Sequence, residues 1–257
     1  MSLAYYRYQN GFMKLDGSSS YLFPYDRGML SRLAYNDEFC PEVNIINHLA
    51  EEYEGTNKDF VDIGANVGFY SMILAPVFNH TTAFEPSKHI YNILCGNMAL
   101  HDLSYKTTIY NTGLSDSDVE LAYNHTHTGY TGEGGNYFSI PEIEHPLEEY
   151  GVDNTEVLHV RTLDSYNLDN VGLIKIDVEG MELRVLMGAQ ETLRRNNYPD
   201  IIFESWNPDK VDDEVGHSEL TALRSNLFTY LDDLGYDIVP MDDYEVFRAR
   251  YRRGVVV

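Results

Sequence analysis

A chain of 257 residues, 43% of them hydrophobic, is long enough for one large α/β domain or two small ones around an ordinary core. Its 41 acidic residues against 18 basic ones leave a net charge of −23, which repels phosphate backbones and argues against a nucleic-acid substrate, with Arg248-Ala-Arg250-Tyr-Arg252-Arg253 as a local exception. No apolar run approaches the ~18 residues that span a bilayer, and Met1–Asn10 lacks the basic start and apolar stretch of a signal peptide, so a cytoplasmic protein without stable membrane insertion is expected.

Residues 1–40 read as a β-rich extension. Tyr5-Tyr-Arg-Tyr8 and Phe12-Met-Lys-Leu15 flank Asn10-Gly11, a hairpin signature, and Gly17–Ser20 follows as a loop. The main domain is assigned to 41–257. Pro41–Glu54 is amphipathic, with Val43, Ile46, Leu49 and Ala50 on one face, Pro41 in the first turn and Gly55 at the stop. Asp59–Ile63 reads as a buried strand, Val67–Val77 as a helix, Thr81–Phe84 as a strand, Ser87–His101 as a helix and Thr107–Tyr110 as a strand. This alternation predicts a parallel sheet with helices on both faces. Residues 113–156 interrupt it. Val119–Tyr123 suits a strand, and the Gly/Thr-rich run from Asn124 opens a long polar loop, a candidate lid or substrate-binding insertion at 124–156. The alternation resumes with a strand at Leu158–Arg161, the buried strand Gly172–Val178, a helix over Met181–Arg195 and the strand Asp200–Phe203. A helix over Ser218–Leu234 follows, with Ser218 as N-cap and Gly235 as stop. Tyr236–Pro240 and Tyr244–Tyr251 close the chain as an antiparallel pair. Cys40 and Cys95 form no disulfide framework and no zinc spacing; both are expected as small buried thiols.

Two segments carry chemistry. In Asp62-Ile-Gly64-Ala-Asn66-Val-Gly68, between a strand and a helix, Gly64 permits a tight turn and Gly68 a close approach of backbone to a ligand or helix. The helix start offers free N–H groups. Asn66 departs from the Gly-x-Gly-x-x-Gly dinucleotide fingerprint, and no Gly-Lys-Ser/Thr follows to make a P-loop. A carboxylate at Asp62 would repel a pyrophosphate but suits a cationic amino-acid end. Glu85, at the end of the second strand, can accept hydrogen bonds from ribose hydroxyls. S-adenosylmethionine combines a ribose, an amino-acid end and a sulfonium without phosphate, and fits this pattern better than NAD. In the second segment, Lys175-Ile-Asp177-Val-Glu179-Gly180, three charged side chains alternate along an apolar strand and so share a face. Burying them unpaired is costly, so the strand end must meet a ligand, an ion or one another. Asp177, Glu179 and Glu204, at the end of the following strand, lie where open α/β sheets bind ligands.

Asp62-Ile-Gly-Ala-Asn-Val-Gly68, Phe84-Glu-Pro86, Thr112-Gly-Leu-Ser115, Ile174-Lys-Ile-Asp-Val-Glu-Gly-Met-Glu182 and Val185-Leu-Met-Gly-Ala189 together closely resemble the FkbM family of methyltransferases, over about residues 58–206. The resemblance implies a class I methyltransferase, Rossmann-like α/β fold with a mostly parallel seven-stranded sheet. It implies methyl transfer from S-adenosylmethionine to a hydroxyl of a sugar, glycan or natural product, the acceptor being a small molecule or glycan. Carried over, Asp62, Gly64, Ala65, Asn66 and Gly68 surround the amino-acid end of the cofactor. Glu85 with Pro86 holds the ribose, Leu114 and Ser115 contact adenine, and Asp177 lies near the transferred methyl.

A sugar hydroxyl is a poor nucleophile, so a base or metal should assist. Asp177 is the candidate base, with Glu179 and Glu204 beside it; His125 and His127 on the long loop are second candidates. Three carboxylates without a histidine are compatible with Mg²⁺, although no metal ligand is assigned. A nucleotide-dependent oxidoreductase or sugar-modifying enzyme, or a non-catalytic cofactor-binding module, are the competing readings.

Overall fold

The computed structural model describes residues 4–8, 11–15, 20–24, 42–124, 155–210, 214–241 and 245–252. Strands β1 (Ala4–Tyr8), β2 (Gly11–Leu15) and β3 (Ser20–Pro24) form a separate antiparallel sheet. Tyr8 pairs with Gly11, so Gly11 belongs to a strand rather than to the turn. Helix α1 (Val43–Tyr53) precedes the alternating core: β4 (Asp59–Ile63), α2 (Phe69–Leu74), β5 (Thr81–Phe84), α3 (Lys88–Leu100) and β6 (Thr107–Tyr110). Then follow β7 (Gly113–Leu114), β8 (Val119–Asn124), β9 (Thr155–Arg161), β10 (Val171–Ile176), α4 (Glu182–Met187), α5 (Gln190–Arg195), β11 (Asp200–Glu204), α6 (Glu214–Asp233), β12 (Tyr236–Pro240) and β13 (Val246–Tyr251).

The main sheet has the order β12-β13-β11-β10-β4-β5-β6, with β13 antiparallel to both neighbours and the remaining pairs parallel. This is the class I methyltransferase-like fold, with seven mostly parallel strands. The chain winds outward from β4 to β6, then returns to β10 and winds the other way, so the carboxyl ends of β4 and β10 mark the switch point where such sheets bind ligands. Alternation along each strand feeds two cores. Val61, Ile63, Ile174, Ile176, Ile201 and Phe203 pack with α4–α6 residues on one face. Phe60, Leu173 and Ile202 pack with Ile46, Leu49 and Leu74 of α1 and α2 on the other. Asp62 and Lys175 share the parity of the second set and are cross-strand register partners.

Several expectations from the sequence change. The helix expected over 181–195 is two helices, broken at Gly188, where a Cβ would overlap the Ser115 carbonyl oxygen. The second of them is started from afar: the Asp164 carboxylate accepts from the backbone N–H of Glu191 (3.0 Å) and Thr192 (2.7 Å). Helix α6 begins one turn before Ser218, which lies exposed inside it rather than at its cap. The α2 helix is shorter than its apolar pattern, starting after the left-handed Gly68 (φ 96°). Residues 113–114 and 119–124 join β9 in a three-stranded sheet, β7-β9-β8. Most of the expected insertion, with His125 and His127, lies outside the described residues, as does Cys40. Cys95 is half-buried with a free thiol, rather than buried.

An ion network ties α1 to the sheet. Arg248, 3% exposed, donates to Glu52 through Nη1 (2.6 Å) and Nη2 (2.9 Å) and to Asp200 through Nε (3.1 Å) and Nη2. Tyr53 Oη donates to the same Asp200 carboxylate (3.1 Å). Arg248→Ala leaves Glu52 and Asp200 with only the half-exposed Arg250 as a cation, and should lower unfolding stability by about 3 kcal/mol, read as a reduced urea midpoint at unchanged slope. An unchanged midpoint would show that the network contributes nothing net.

Candidate active site

The first strand end is built around a buried charge. Asp62 is fully buried (0% exposed) and accepts a hydrogen bond from Ser71 Oγ at 2.6 Å. Its other oxygen, Oδ1, lies 3.6 Å from Lys175 Nζ, an ion pair beyond hydrogen-bond reach, and has no hydrogen-bond partner. Burial pushes the Asp62 carboxyl up, against the opposing pull of Lys175 and Ser71. Lys175, also buried, donates to the Gly64 carbonyl at 2.7 Å and lies 3.3 Å from Asp177 Oδ2. Burial disfavours its charge, but Asp177 and Asp62 outweigh that and shift the ammonium upward. Lys175 therefore links both predicted segments: the glycine loop through a carbonyl and a carboxylate, the strand end through Asp177.

Past Asp62 the chain must turn under β10. Gly64 has φ 69°, and a Cβ there would overlap the Asp177 carbonyl oxygen. Its N–H and that of Ala65 both donate to the Phe84 carbonyl, at 3.1 and 3.0 Å. Asn66 also adopts a left-handed conformation (φ 51°), and its Oδ1 is buried without a partner. The Asn66 N–H donates to Glu85 Oε2 at 3.1 Å, while the Ser87 N–H donates to Oε1 at 2.8 Å. Glu85, 7% exposed, thus stands against the loop at the end of β5, where burial raises its carboxyl to about 7 despite those two amides. Asn111 braces the same corner by donating to the Glu85 and Pro86 carbonyls at 3.0 and 2.7 Å.

A cavity of about 310 Å³ opens beside this corner. Gly64, Pro86, Leu114, Ser115, Val178 and Arg184 are among its walls, so the loop, the β5 end and the β7 segment line one space. Leu114 and Ser115 are buried there, and the Ser115 N–H donates to the Arg161 carbonyl at 2.9 Å.

Around the β10 end the chain passes through left-handed Glu179 (φ 55°) and Gly180 (φ 95°). Glu182, 5% exposed, holds this turn by accepting from the N–H of Val178 and Gly180, both at 3.1 Å; burial pushes it up to about 7. The turn gathers Asp177, Glu179 and Glu204, whose carboxylate oxygens lie within 4.8 Å of one another. Burial, then the charges of Asp177 and Glu179, push Glu204 up to about 9, so it holds a proton at neutral pH. Such a group can accept a proton at Asp177, share it with Glu204, or offer oxygen ligands to a cation.

The predicted residues therefore fall into two neighbouring sets joined by Lys175. Ser71 and Glu42 support these sets, and Asp164 starts α5, without having been singled out. Tyr70 Oη donates to Glu42 at 2.5 Å, and Lys175 lies 5.4 Å from the Tyr70 ring. A serine inside an otherwise apolar helix was the one local signal for Ser71; Glu42 and Asp164 act across the fold and have none.

Known proteins are similar to this chain in sequence and in fold. The "Methyltransferase FkbM domain" profile matches residues 62–238. Methyltransferase sdnD of Sordaria araneosa is 28% identical over 214 residues, covering 71% of this chain and 75% of that protein. Methyltransferase 1 of Beauveria bassiana (strain ARSEF 2860) is 29% identical over 145 residues, covering 51% of this chain and 58% of that one. The crystal structure of a putative caffeoyl-CoA O-methyltransferase from Staphylococcus aureus superposes with a TM-score of 0.52 at 11% identity, covering 86% and 88% of the two chains, a likeness of fold. Among the described residues no helix is long and apolar enough to cross a membrane. The strand-end geometry and the family profile coincide on the same segments, and the chain belongs to the FkbM methyltransferase domain family and carries its S-adenosylmethionine-dependent methyltransferase domain.

Proposed function

We propose that the protein methylates a hydroxyl on a sugar, glycan or natural product, with the cofactor in the cavity between the glycine loop and β7 and the acceptor at Asp177. The observation that carries this reading is the pair of buried acceptor atoms without hydrogen-bond partners, Asp62 Oδ1 at the end of β4 and Asn66 Oδ1 in the loop, on either side of Gly64, which lines the cavity. An amino-acid ammonium supplies the missing donors. S-adenosylmethionine, when bound, supplies an electrophilic methyl on a sulfonium. Glu85 accepts from ribose hydroxyls, and Leu114 and Ser115 cover the base. Asp177, with a side chain 37% exposed, is wet enough to meet an acceptor, and its carboxylate is the candidate base for the acceptor's proton. Glu204 and Glu179 stand beside it, and a protonated Glu204 limits the repulsion among three acids.

The carboxylate set also offers a second reading, in which a divalent cation takes these oxygens and lowers the acceptor pKa. Turnover retained in excess EDTA would remove that version.

The cofactor assignment is tested by calorimetry with S-adenosylhomocysteine. Ribose hydroxyls donate more strongly to the ionised Glu85, whose carboxyl is raised to about 7. Affinity should therefore rise as pH increases from 6 to 8, because less free energy is spent removing the proton. Glu85→Gln should bind at least tenfold more weakly and lose the pH dependence. Wild-type affinity in that variant would take Glu85 out of the cofactor site.

A further inference from the structure

The turn after β10 serves both halves of the site. Val178, Met181 and Arg184 line the cavity, while Asp177 and Glu179, from the same few residues, supply two of the three clustered carboxylates. The backbone does not keep such a turn unaided. Glu179 and Gly180 are successive left-handed residues, at φ 55° and 95°, and a side chain disfavours that conformation at Glu179. Conformations of this kind persist where the surroundings over-determine them. Glu182 supplies that constraint. Its Oε1 accepts from the N–H groups of Val178 and Gly180, the residues that directly follow Asp177 and Glu179. Asp177 is fixed from the other side, with its N–H donating to the Ile63 carbonyl (3.1 Å) and its carboxylate 3.3 Å from Lys175. Burying a carboxyl group is costly, and Glu182 is only 5% exposed, so an acid is kept from water here to hold two amides of one turn.

We propose that Glu182 is the positioning residue of the methyl transfer: through the Val178 and Gly180 amides it fixes Asp177 relative to the cofactor wall, and it acts on turnover through Asp177. The inference rests on the reading of Asp177 as the base and of the cavity as the cofactor site. The geometric demand is tight. A general base must stay within hydrogen-bond reach of the hydroxyl while that hydroxyl lies in line with the methyl and the sulfur. A misplacement of about 1 Å can cost about 10²-fold in rate. Val178 belongs to the cavity wall and directly follows Asp177, so any reshaping of the turn changes the spacing between base and cofactor. Without the Glu182 acceptor both amides lose their partner and the left-handed pair loses its constraint. Groups of this kind are held to productive geometry by hydrogen bonds from residues that do not touch the substrate.

Crystal structures with S-adenosylhomocysteine bound test the placement directly. Glu182→Gln keeps an acceptor oxygen on a side chain of the same shape, and should leave the Asp177 carboxylate within about 0.5 Å of its wild-type position relative to the sulfur. In Glu182→Ala the carboxylate should shift by about 1 Å or more, and single-turnover methylation of an acceptor that wild-type enzyme methylates should fall by about 10²-fold. Glu182→Gln should restore that rate to within about threefold of wild type. In the Asp177→Asn background, Glu182→Ala should cost less than about threefold more, because the base that it places is already gone. Gly180→Ala covers the case in which Glu182→Ala does not fold. Its methyl has room, 3.8 Å from the Trp206 ring, but φ 95° is strained for alanine, so the same shift of Asp177 and a loss of turnover are expected. Asp177 unmoved in the Glu182→Ala or Gly180→Ala structure, losses that multiply in the double variant, or Glu182→Gln as slow as Glu182→Ala overturns the assignment. Failure of wild-type enzyme to bind S-adenosylhomocysteine overturns the cavity reading instead, and wild-type turnover in Asp177→Asn overturns the base reading. Neither measurement alters Glu182, so the failures are told apart.

Discussion

Asp177→Asn should lower turnover by about 10²- to 10⁴-fold, the usual contribution of a positioned general base, and leave S-adenosylhomocysteine affinity within a few-fold of wild type. Asparagine keeps the shape of the side chain and removes its basicity. The fold should tolerate it, because Lys175 still has the Asp62 carboxylate at 3.6 Å and the Gly64 carbonyl at 2.7 Å to compensate its charge. The exchange also changes its neighbour. Asp177 is the largest charge effect raising Glu204, second only to burial, so its removal lets the Glu204 carboxyl fall. Burial, Glu179 and Glu182 still hold Glu204 above the usual carboxylate range, so any residual activity that uses Glu204 as the base should require a higher pH than wild type. The check is single-turnover kinetics across pH 6–10 with an acceptor that wild-type enzyme methylates. Wild-type rates at every pH would remove Asp177 from the chemistry and leave it as a partner of Lys175.

How much of this was legible in the sequence depends on the range of the interaction. β4, β5 and β6 lie over Asp59–Ile63, Thr81–Phe84 and Thr107–Tyr110, where the strand–helix alternation places them. The Lys-x-Asp-x-Glu spacing pointed to charges that need partners at a strand end, although β10 stops at Ile176 and Asp177 and Glu179 lie in the turn beyond it. The identity of one partner was not announced. That Asp62 faces Lys175 follows from the parallel register of β4 and β10, which bridges more than a hundred residues of chain. The break at Gly188 is equally non-local: it exists because α4 ends against the Ser115 carbonyl and because Asp164 caps α5. No periodicity in 181–195 encodes either contact.

Gly64→Ala tests the closeness of the two strand ends, and should be the most damaging single-methyl change in the domain. Two costs add. At φ 69° a residue with a Cβ pays about 1–2 kcal/mol of backbone strain. The new methyl would also overlap the Asp177 carbonyl oxygen and come within 2.9 Å of its carbon, and neither atom belongs to a flexible side chain. Relief requires β4 and β10 to part where the Asp177 N–H donates to the Ile63 carbonyl at 3.1 Å, which also displaces Lys175 from the Gly64 carbonyl. The combined loss should exceed about 4 kcal/mol, a large share of the ~5–15 kcal/mol that holds a domain together. Gly55→Ala supplies the control. Gly55 has a similar φ of 75° but nothing within 4 Å of its Cβ position, so it carries the conformational cost alone. Urea unfolding of the two variants should separate them by at least 2 kcal/mol, and S-adenosylhomocysteine binding should survive in Gly55→Ala while failing in Gly64→Ala. Equal destabilisation would mean that the strand ends have room for a side chain, and the loop would then be free to move away from Asp177.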